Sequence, residues 1–247
     1  MSGTTTLRRR LSRRDLVVYG LLFIGPLAPV GVFGVLDART DGAVALVYLA
    51  ATIAMAFTAW SYAVMSREVP HAGSVFAYAT RSLGPTAGFF AGWLAMLDYL
   101  LIPSVAYLFS GLALHALVPA VPAWVFTVVA FAGTTALNLT GVRVAARVGT
   151  AVLVAEVVVL VVFVVAAAAV LVQSGPVRPW LSPLLGLGSI TVSTILGAVS
   201  VAVLSFLGFD AIASFAEEST GDAAQVGQAI GVCLAVAGLA FVIQTWL

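Results

Sequence analysis

Residues 20–34 read GLLFIGPLAPVGVFG, and the architecture of the chain can be worked out from this stretch. It is apolar throughout, as a membrane span is, yet two Pro and three Gly fall within residues 25–34. Each Pro removes a backbone N–H and clashes with the preceding helical turn, so an ordinary helix cannot continue through it. Interrupted backbone at membrane depth is tolerated only where it lines a cavity or lies within protein. The stretch therefore predicts a discontinuous transmembrane helix that lines a cavity or lies within protein.

The composition agrees with a membrane protein. Of the 247 residues, 62% are hydrophobic and 9% are charged, and the mean hydropathy is +1.14. Soluble domains carry about 25% charged residues, and disordered chains have low hydrophobicity, so both classes are excluded. With a single Cys and two His, a disulfide framework, a Cys-based zinc site and an iron–sulfur cluster are excluded as well. We expect no metal site, no cofactor and no nucleic-acid partner.

Seven apolar stretches are candidates for membrane helices. A helix that crosses a hydrocarbon core of about 30 Å needs roughly 20 apolar residues, and the fourth candidate is shorter than this. The predicted fold class is an all-α integral membrane protein with seven transmembrane helices. The candidates are Leu16–Leu36, Ala43–Met65, Thr86–Leu114, Ala123–Asn138, Val148–Val172, Ile190–Ala216 and Ala223–Leu247.

The arginines predict the orientation of these spans. All eleven basic residues are Arg, and an alternating topology places nine of them on one side and two on the other. Basic residues concentrate on the cytoplasmic side of membrane proteins, so we expect a multi-pass protein of the cytoplasmic membrane with a cytoplasmic N-terminus. The chain stops at Leu247 at the close of an apolar run, which predicts a fragment of a longer protein. The nine are Arg8, Arg9, Arg10, Arg13, Arg14, Arg67, Arg81, Arg143 and Arg147; the two are Arg39 and Arg178.

A second interruption is predicted in the sixth span, where residues 204–211 read LSFLGFDA. This stretch contains both Gly208 and a carboxylate, Asp210, near the middle of the span. Spans one and six correspond if the chain is built on a five-helix repeat, and two interrupted spans in corresponding positions indicate the central site of a transporter. Free N–H groups at a half-helix N-terminus attract a carboxylate, and free carbonyls attract an ammonium or a coupling ion.

Three carboxylates fall within predicted spans. Each costs about 2.5–3.5 kcal/mol at a span centre, so a functional role is the default interpretation. Asp210 adjoins the sixth-span interruption, where it could meet an ammonium or a proton. Glu156 could carry a proton, and Asp98 could bind a cation. The alternative for Glu156 and Asp98 is a buried acid that a neighbouring helix satisfies by hydrogen bonding.

The stretch after the second span carries the most specific pattern. Residues 70–78 read PHAGSVFAY, Gly84 follows, and residues 88–93 read GFFAGW. Together with residues 205–211, SFLGFDA, this pattern resembles the amino acid–polyamine–organocation permeases over nearly the whole chain. The resemblance implies a 5+5 inverted-repeat fold, usually of twelve spans, with helices 1 and 6 discontinuous. The chain would then hold a basic cytoplasmic arm (1–15), the first five-helix repeat (16–172) and two helices of a truncated second repeat (189–247).

The resemblance also implies a substrate site at the midplane, between spans one and six. Pro29 and Val30 stand where amino acid carriers of the family usually have Gly and Ser, so an N–H donor and a hydroxyl are missing from the expected carboxylate nest. Putrescine importers of the family share that lack, and they show a stretch like the one around Asp98. Glu156 aligns with a position that is a coupling Lys in some members. The implied substrate-binding set is Pro26, Pro29, Val30, Gly31, Ser205, Phe206, Gly208, Phe209 and Asp210, with Glu156 for ion coupling and Asp98 as a cation-binding candidate.

The sequence therefore predicts a secondary transporter of amino acids or polyamines. Its partners would be a small-molecule substrate, the lipid bilayer and a coupling proton, with sodium left open. An ATP-driven pump is disfavoured because the chain has no Gly-x-x-x-x-Gly-Lys-(Ser/Thr) loop, and no catalytic residues or enzyme activity are expected. The alternative is a truncated membrane protein that does not transport and acts as an interaction partner.

Overall fold

The computed structural model describes residues 11–69, 73–188, 190–220 and 223–247, without the side chains of residues 142, 143 and 223. Residues 1–10 of the predicted arm and residues 70–72 of the family-like motif lie outside the described residues. The described part is all-helical and contains eleven α-helices and three 3₁₀ turns. The helices are α1 Arg13–Ile24, α2 Phe33–Arg39, α3 Val44–Glu68, α4 Ser74–Leu83, α5 Pro85–Leu117, α6 Ala123–Leu139, α7 Val142–Ser174, α8 Ser182–Leu185, α9 Val192–Ala202, α10 Ala211–Ser214 and α11 Ala223–Trp246; the turns are Ala28–Gly31, Val203–Phe206 and Ala216–Glu218.

Six helical stretches of the described chain are long and apolar enough to cross a membrane, so the prediction of an all-α multi-pass membrane protein is confirmed. The seventh candidate, α6, has 17 residues, which at 1.5 Å per residue is about 25 Å. A crossing by α6 therefore stays a prediction. The six stretches are Arg13–Gly31, Val44–Glu68, Pro85–Leu117, Val144–Ser174, Val192–Ser214 and Ala224–Trp246.

The chain forms two compact units. The larger contains Met1–Ser74 and Leu153–Leu247, and the smaller contains Val75–Val152. The larger unit therefore holds both ends of the sequence, including the stretches around Pro26 and Gly208.

Close packing of α3 against α11 forms the centre of the larger unit. A Cβ built on Gly227 would lie 2.9 Å from the Cβ of Ala63, and one on Gly238 would collide with Thr52. Small residues let helix backbones approach in membrane proteins, where dispersion contacts replace the hydrophobic effect as the driving force. Beside this contact, Tyr48 and Phe241 are fully buried and meet edge to face at 5.6 Å.

The start of α1 is held by local and distant hydrogen bonds. Ser12 and Asp15 form a capping box, in which Asp15 Oδ2 accepts from the Ser12 backbone N–H at 2.8 Å. Such reciprocal bonds satisfy N–H groups that a helix start leaves unpaired. The residue before them, Leu11, pairs with the segment after α10: its N–H donates to the Glu218 carbonyl at 3.0 Å, and its carbonyl accepts from the Thr220 N–H at 2.9 Å.

Three glycines of the family-like motif, Gly84, Gly88 and Gly92, lie in the smaller unit. Gly84 has φ +93° and precedes α5, whose first residue is Pro85. A Cβ on Gly88 would collide with Thr80, and one on Gly92 would lie 2.9 Å from the ring of Phe76. The motif therefore turns the chain after α4 and lets α5 pack directly on it. Further along α5, the Tyr107 hydroxyl hydrogen-bonds Thr134 of α6 at 2.7 Å.

Candidate functional site

The helix α1 ends where the sequence brings Gly and Pro together. Gly25 is its C-cap with φ +73°, a conformation open to Gly but strained for other residues. Its carbonyl accepts from the Ala28 N–H at 3.0 Å, and the Val30 N–H donates to Leu27 at 3.0 Å. The chain thus tightens from α-helical to 3₁₀ bonding before α2 begins. The backbone around Pro26 is therefore irregular, and Pro26 and Pro29 are buried in the larger unit.

A second irregular segment separates α9 from α10. The 3₁₀ turn Val203–Phe206 ends at Leu207, whose ψ of 141° is extended, and Gly208 follows with φ +100°. The Gly208 carbonyl then accepts from the Ala211 N–H at 3.1 Å, which begins the short helix α10. Asp210 sits at the N-cap position of α10, where its side chain makes no capping bond.

These two irregular segments touch. A Cβ on Gly208 would lie 2.8 Å from the Cβ of Phe23 and 3.0 Å from both the carbonyl carbon and oxygen of Phe23. Real Cβ atoms do not occupy such space, so only Gly fits against the last turn of α1. Phe215, just after α10, stacks on the Phe23 ring at a centroid distance of 6.3 Å.

A buried hydrogen bond and aromatic contacts join the second segment to α3 and α11. The Tyr48 hydroxyl and Ser205 Oγ are 2.8 Å apart, and both residues are buried. Phe206 meets Phe241 edge to face at 4.9 Å, and Phe209 meets Tyr62 in the same way at 5.5 Å. Edge-to-face pairs stabilise by about 0.5–1.5 kcal/mol beyond their buried area. The residues between α9 and α10 are therefore held on the α3–α11 pair.

The first segment is supported by α11. Gln244 Nε2 donates to the Pro26 carbonyl at 3.0 Å and to the Ala240 carbonyl of its own helix at 3.1 Å. The side chain is 6% exposed. Its Oε1 is buried and accepts no hydrogen bond from the described residues.

The three intramembrane carboxylates occupy different surroundings. Glu156 is half-buried on α7, with Oε2 3.9 Å from the position that a Cβ on Gly25 would take. No ion pair or hydrogen bond joins the Glu156 carboxylate to the described residues. Asp210 is half-buried, and its backbone carbonyl accepts from Ser74 Oγ at 3.5 Å. Asp98 lies on α5, in the smaller unit.

The predicted substrate-binding residues differ in burial. Pro26, Pro29, Ser205, Phe206 and Phe209 are buried, whereas Gly208 and Asp210 are half-buried. Val30 is 66% exposed, and Gly31 is exposed beside it.

Sequence reasoning missed three residues at these segments. Tyr48 gave no signal, because a Tyr in an apolar run is ordinary. Phe23 is one apolar residue among many in its span. Gln244 did give one: it is a polar side chain near the end of the apolar stretch of α11.

A cavity of about 580 Å³ lies elsewhere in the larger unit, between α2, the second half of α7 and the end of α11. It contains none of the predicted site residues. An exposed ion pair at its edge joins Arg178 Nη1 to Asp37 Oδ1 at 3.0 Å. The Asp37 carboxylate raises the pKa of Arg178 by hydrogen bonding and by its charge.

The chain is similar in sequence to known membrane permeases. The family model described as "Amino acid permease" matches residues 18–247. The low-affinity putrescine importer PlaP of Escherichia coli K12 is 33% identical over 246 residues, which cover 97% of this chain and 53% of that protein. The branched-chain amino acid permease BcaP of Bacillus subtilis is 28% identical over 265 residues, 98% of this chain and 54% of the relative. A probable GABA permease of Pseudomonas aeruginosa is 28% identical over 225 residues, which cover 85% of this chain and 46% of that protein. The chain spans about half the length of these curated relatives.

Proposed function

The chain belongs to the amino acid permease family, and from this premise we propose that its native polypeptide is a secondary transporter of amino acids or polyamines. Members of a permease family are transporters, in agreement with the expectation that the chain is not an enzyme. The observation that carries the proposal is the contact between Gly208 and the last turn of α1. It joins two irregular segments that contain most of the substrate-binding residues predicted from the sequence.

The proposed site lies between discontinuous helices 1 and 6 of a 5+5 inverted repeat. In this proposal seven spans are present, the N-terminus is cytoplasmic and the substrate-binding residues are those around Pro26–Gly31 and Ser205–Asp210. Carbonyls freed at the end of α1 offer negative partial charge to an ammonium group. The side chain of Asp210, at the N-cap position of α10, is the proposed acidic partner for the same group.

The residues around Pro29 favour a polyamine over an amino acid. Pro29 has no N–H and Val30 no hydroxyl, so two donors for an α-carboxylate are absent. A diamine has no carboxylate, so the absence of these two donors does not weaken its binding. The similarity to a putrescine importer supports the same choice, with Asp98 as a further cation-binding candidate.

Glu156 is the proposed coupling group. Its carboxylate faces the end of α1 at Gly25 without a basic partner among the described residues. A carboxyl group in such surroundings can bind and release a proton as the adjacent backbone moves. We therefore propose proton coupling, with sodium as the alternative driving ion.

Uptake by the purified native polypeptide in proteoliposomes tests the proposal. Labelled putrescine and labelled neutral amino acids are offered under an imposed pH gradient, and we expect putrescine to accumulate. Uptake of neither class would refute the transport function and favour the non-transporting alternative. Glu156→Gln should abolish gradient-driven accumulation, whereas Glu68→Gln, at the exposed end of α3, should not. Undiminished accumulation and proton flux in Glu156→Gln would refute the coupling role.

A further inference from the structure

The carbonyl of Pro26 lacks a backbone partner for a reason that can be read from the sequence. In the 3₁₀ turn that follows α1, each carbonyl accepts from the N–H three residues later, as Leu27 does from Val30 and Pro29 from Val32. The N–H that would reach Pro26 in this pattern belongs to residue 29, which is Pro and has none. Pro26 is buried, and a buried carbonyl without a donor costs about 1–3 kcal/mol.

Gln244 supplies the missing donor from another helix. Its Nε2 lies 3.0 Å from the Pro26 carbonyl oxygen, and its second N–H is used by Ala240 at 3.1 Å. Two carbonyls at the same nitrogen fix the orientation of the amide, since the reversed amide would set oxygen against oxygen at both contacts. The bond joins residues 218 positions apart, so it links α11 to the irregular segment after α1.

The oxygen at the other end of the amide indicates that the N–H donors of Gln244 are what this position requires. Gln244 Oε1 is buried and accepts no hydrogen bond from the described part of the chain. An unsatisfied buried oxygen destabilises the folded state. An apolar side chain of the same length would avoid that cost and would leave Pro26 unpaired. Removing the amide therefore exchanges one unsatisfied oxygen for another, with a small net effect on folding.

We propose that Gln244 is a positioning residue of the substrate site, which holds the Pro26 carbonyl in place through α11. This inference rests on the proposed function, because it assigns the backbone at Pro26 to the substrate site. Gln244 acts on the substrate through the position of that backbone. Its loss should therefore weaken substrate affinity while the amount of folded protein changes little.

The test compares KM for putrescine among variants of the native full-length polypeptide in proteoliposomes. Gln244→Met keeps the length of the side chain and removes both donors, and we expect KM to rise about two- to tenfold, the range for one net hydrogen bond. Thr245→Val is the matched control: Thr245 is equally buried, and its hydroxyl donates within α11, to the carbonyls of Phe241 at 2.7 Å and Val242 at 3.3 Å. Its KM should equal that of the wild type.

A second substitution distinguishes positioning from packing. Pro29→Ala restores an N–H that can donate to Pro26 in the 3₁₀ pattern, so adding it to Gln244→Met should lower KM toward the wild-type value. A reduced maximal rate with unchanged KM in Gln244→Met would assign the residue to packing and overturn the proposal. The same conclusion follows if Gln244→Met and Gln244→Asn both fail to fold while Thr245→Val folds. If the wild type takes up neither putrescine nor the neutral amino acids, the proposed function is overturned, and this inference with it; if it takes up only an amino acid, KM is compared for that substrate instead.

Discussion

Replacing Gly208 with Ala tests the contact on which the proposed site depends. At φ +100° a residue with a Cβ is strained, which costs about 1–3 kcal/mol. The added methyl would also lie 2.8–3.0 Å from the Cβ and carbonyl of Phe23, and overpacking of this kind costs about 1–3 kcal/mol more. We expect Gly208→Ala to lower the free energy of unfolding by about 2–6 kcal/mol, or to separate the two segments and abolish putrescine uptake.

The matched control lies in the same span. At Gly197, in α9, no atom of another described part of the chain lies within 4 Å of the position that a Cβ would take, so Gly197→Ala should stabilise the helix by up to about 1 kcal/mol. Both variants are measured by chemical unfolding of the native polypeptide in mixed detergent micelles. Because the contacting atoms of Phe23 include its backbone, Phe23→Ala should not rescue Gly208→Ala. Equal stability of the two Gly→Ala variants, or rescue by Phe23→Ala, would refute the reasoning.

Three further outcomes can be checked independently. Tyr48→Phe should destabilise by about 1–3 kcal/mol by leaving buried Ser205 unpaired, and the double variant with Ser205→Ala should cost less than the sum of the two single changes; strict additivity would contradict the hydrogen bond. Cys233 is 0% exposed, so a maleimide should label it only after unfolding, and rapid labelling of the folded protein would show that α11 is packed differently. The exposed pair between Arg178 and Asp37 should add little to stability, so Arg178→Ala should leave the melting temperature nearly unchanged at high salt, and a large drop there would contradict this description.

Much of the local structure is predictable because its cause is local. Membrane-spanning helices follow from hydropathy, and the end of α1 at Ile24 follows from Gly25 and Pro26, whose effects reach no further than one turn. The motif glycines at residues 84, 88 and 92 could be recognised from sequence, although their role in packing α5 on α4 could not.

The partners of the candidate site were not predictable. Tyr48 and Ser205 are 157 residues apart, and Gln244 and Pro26 are 218 apart, so no periodicity or spacing relates them. A buried carbonyl accepts from any donor that reaches it, and only the packing of the helices decides which donor does. For the same reason the sequence identified Glu156 as a membrane acid without indicating that it faces Gly25.

The pairing of Leu11 with the segment after α10 has a consequence for motion. The helix α1 is about 18 Å long, and it contacts neighbouring parts of the chain near both ends: Leu11, just before it, hydrogen-bonds to Glu218 and Thr220, and Phe23, in its last turn, packs against Gly208. A rotation of α1 relative to residues 208–220 would have to break the hydrogen bonds of Leu11 or the packing of Phe23 on Gly208. We therefore expect α1 and residues 208–220 to move together. A spectroscopic probe on Thr220 would then report the displacement of α1, although Thr220 lies outside that helix.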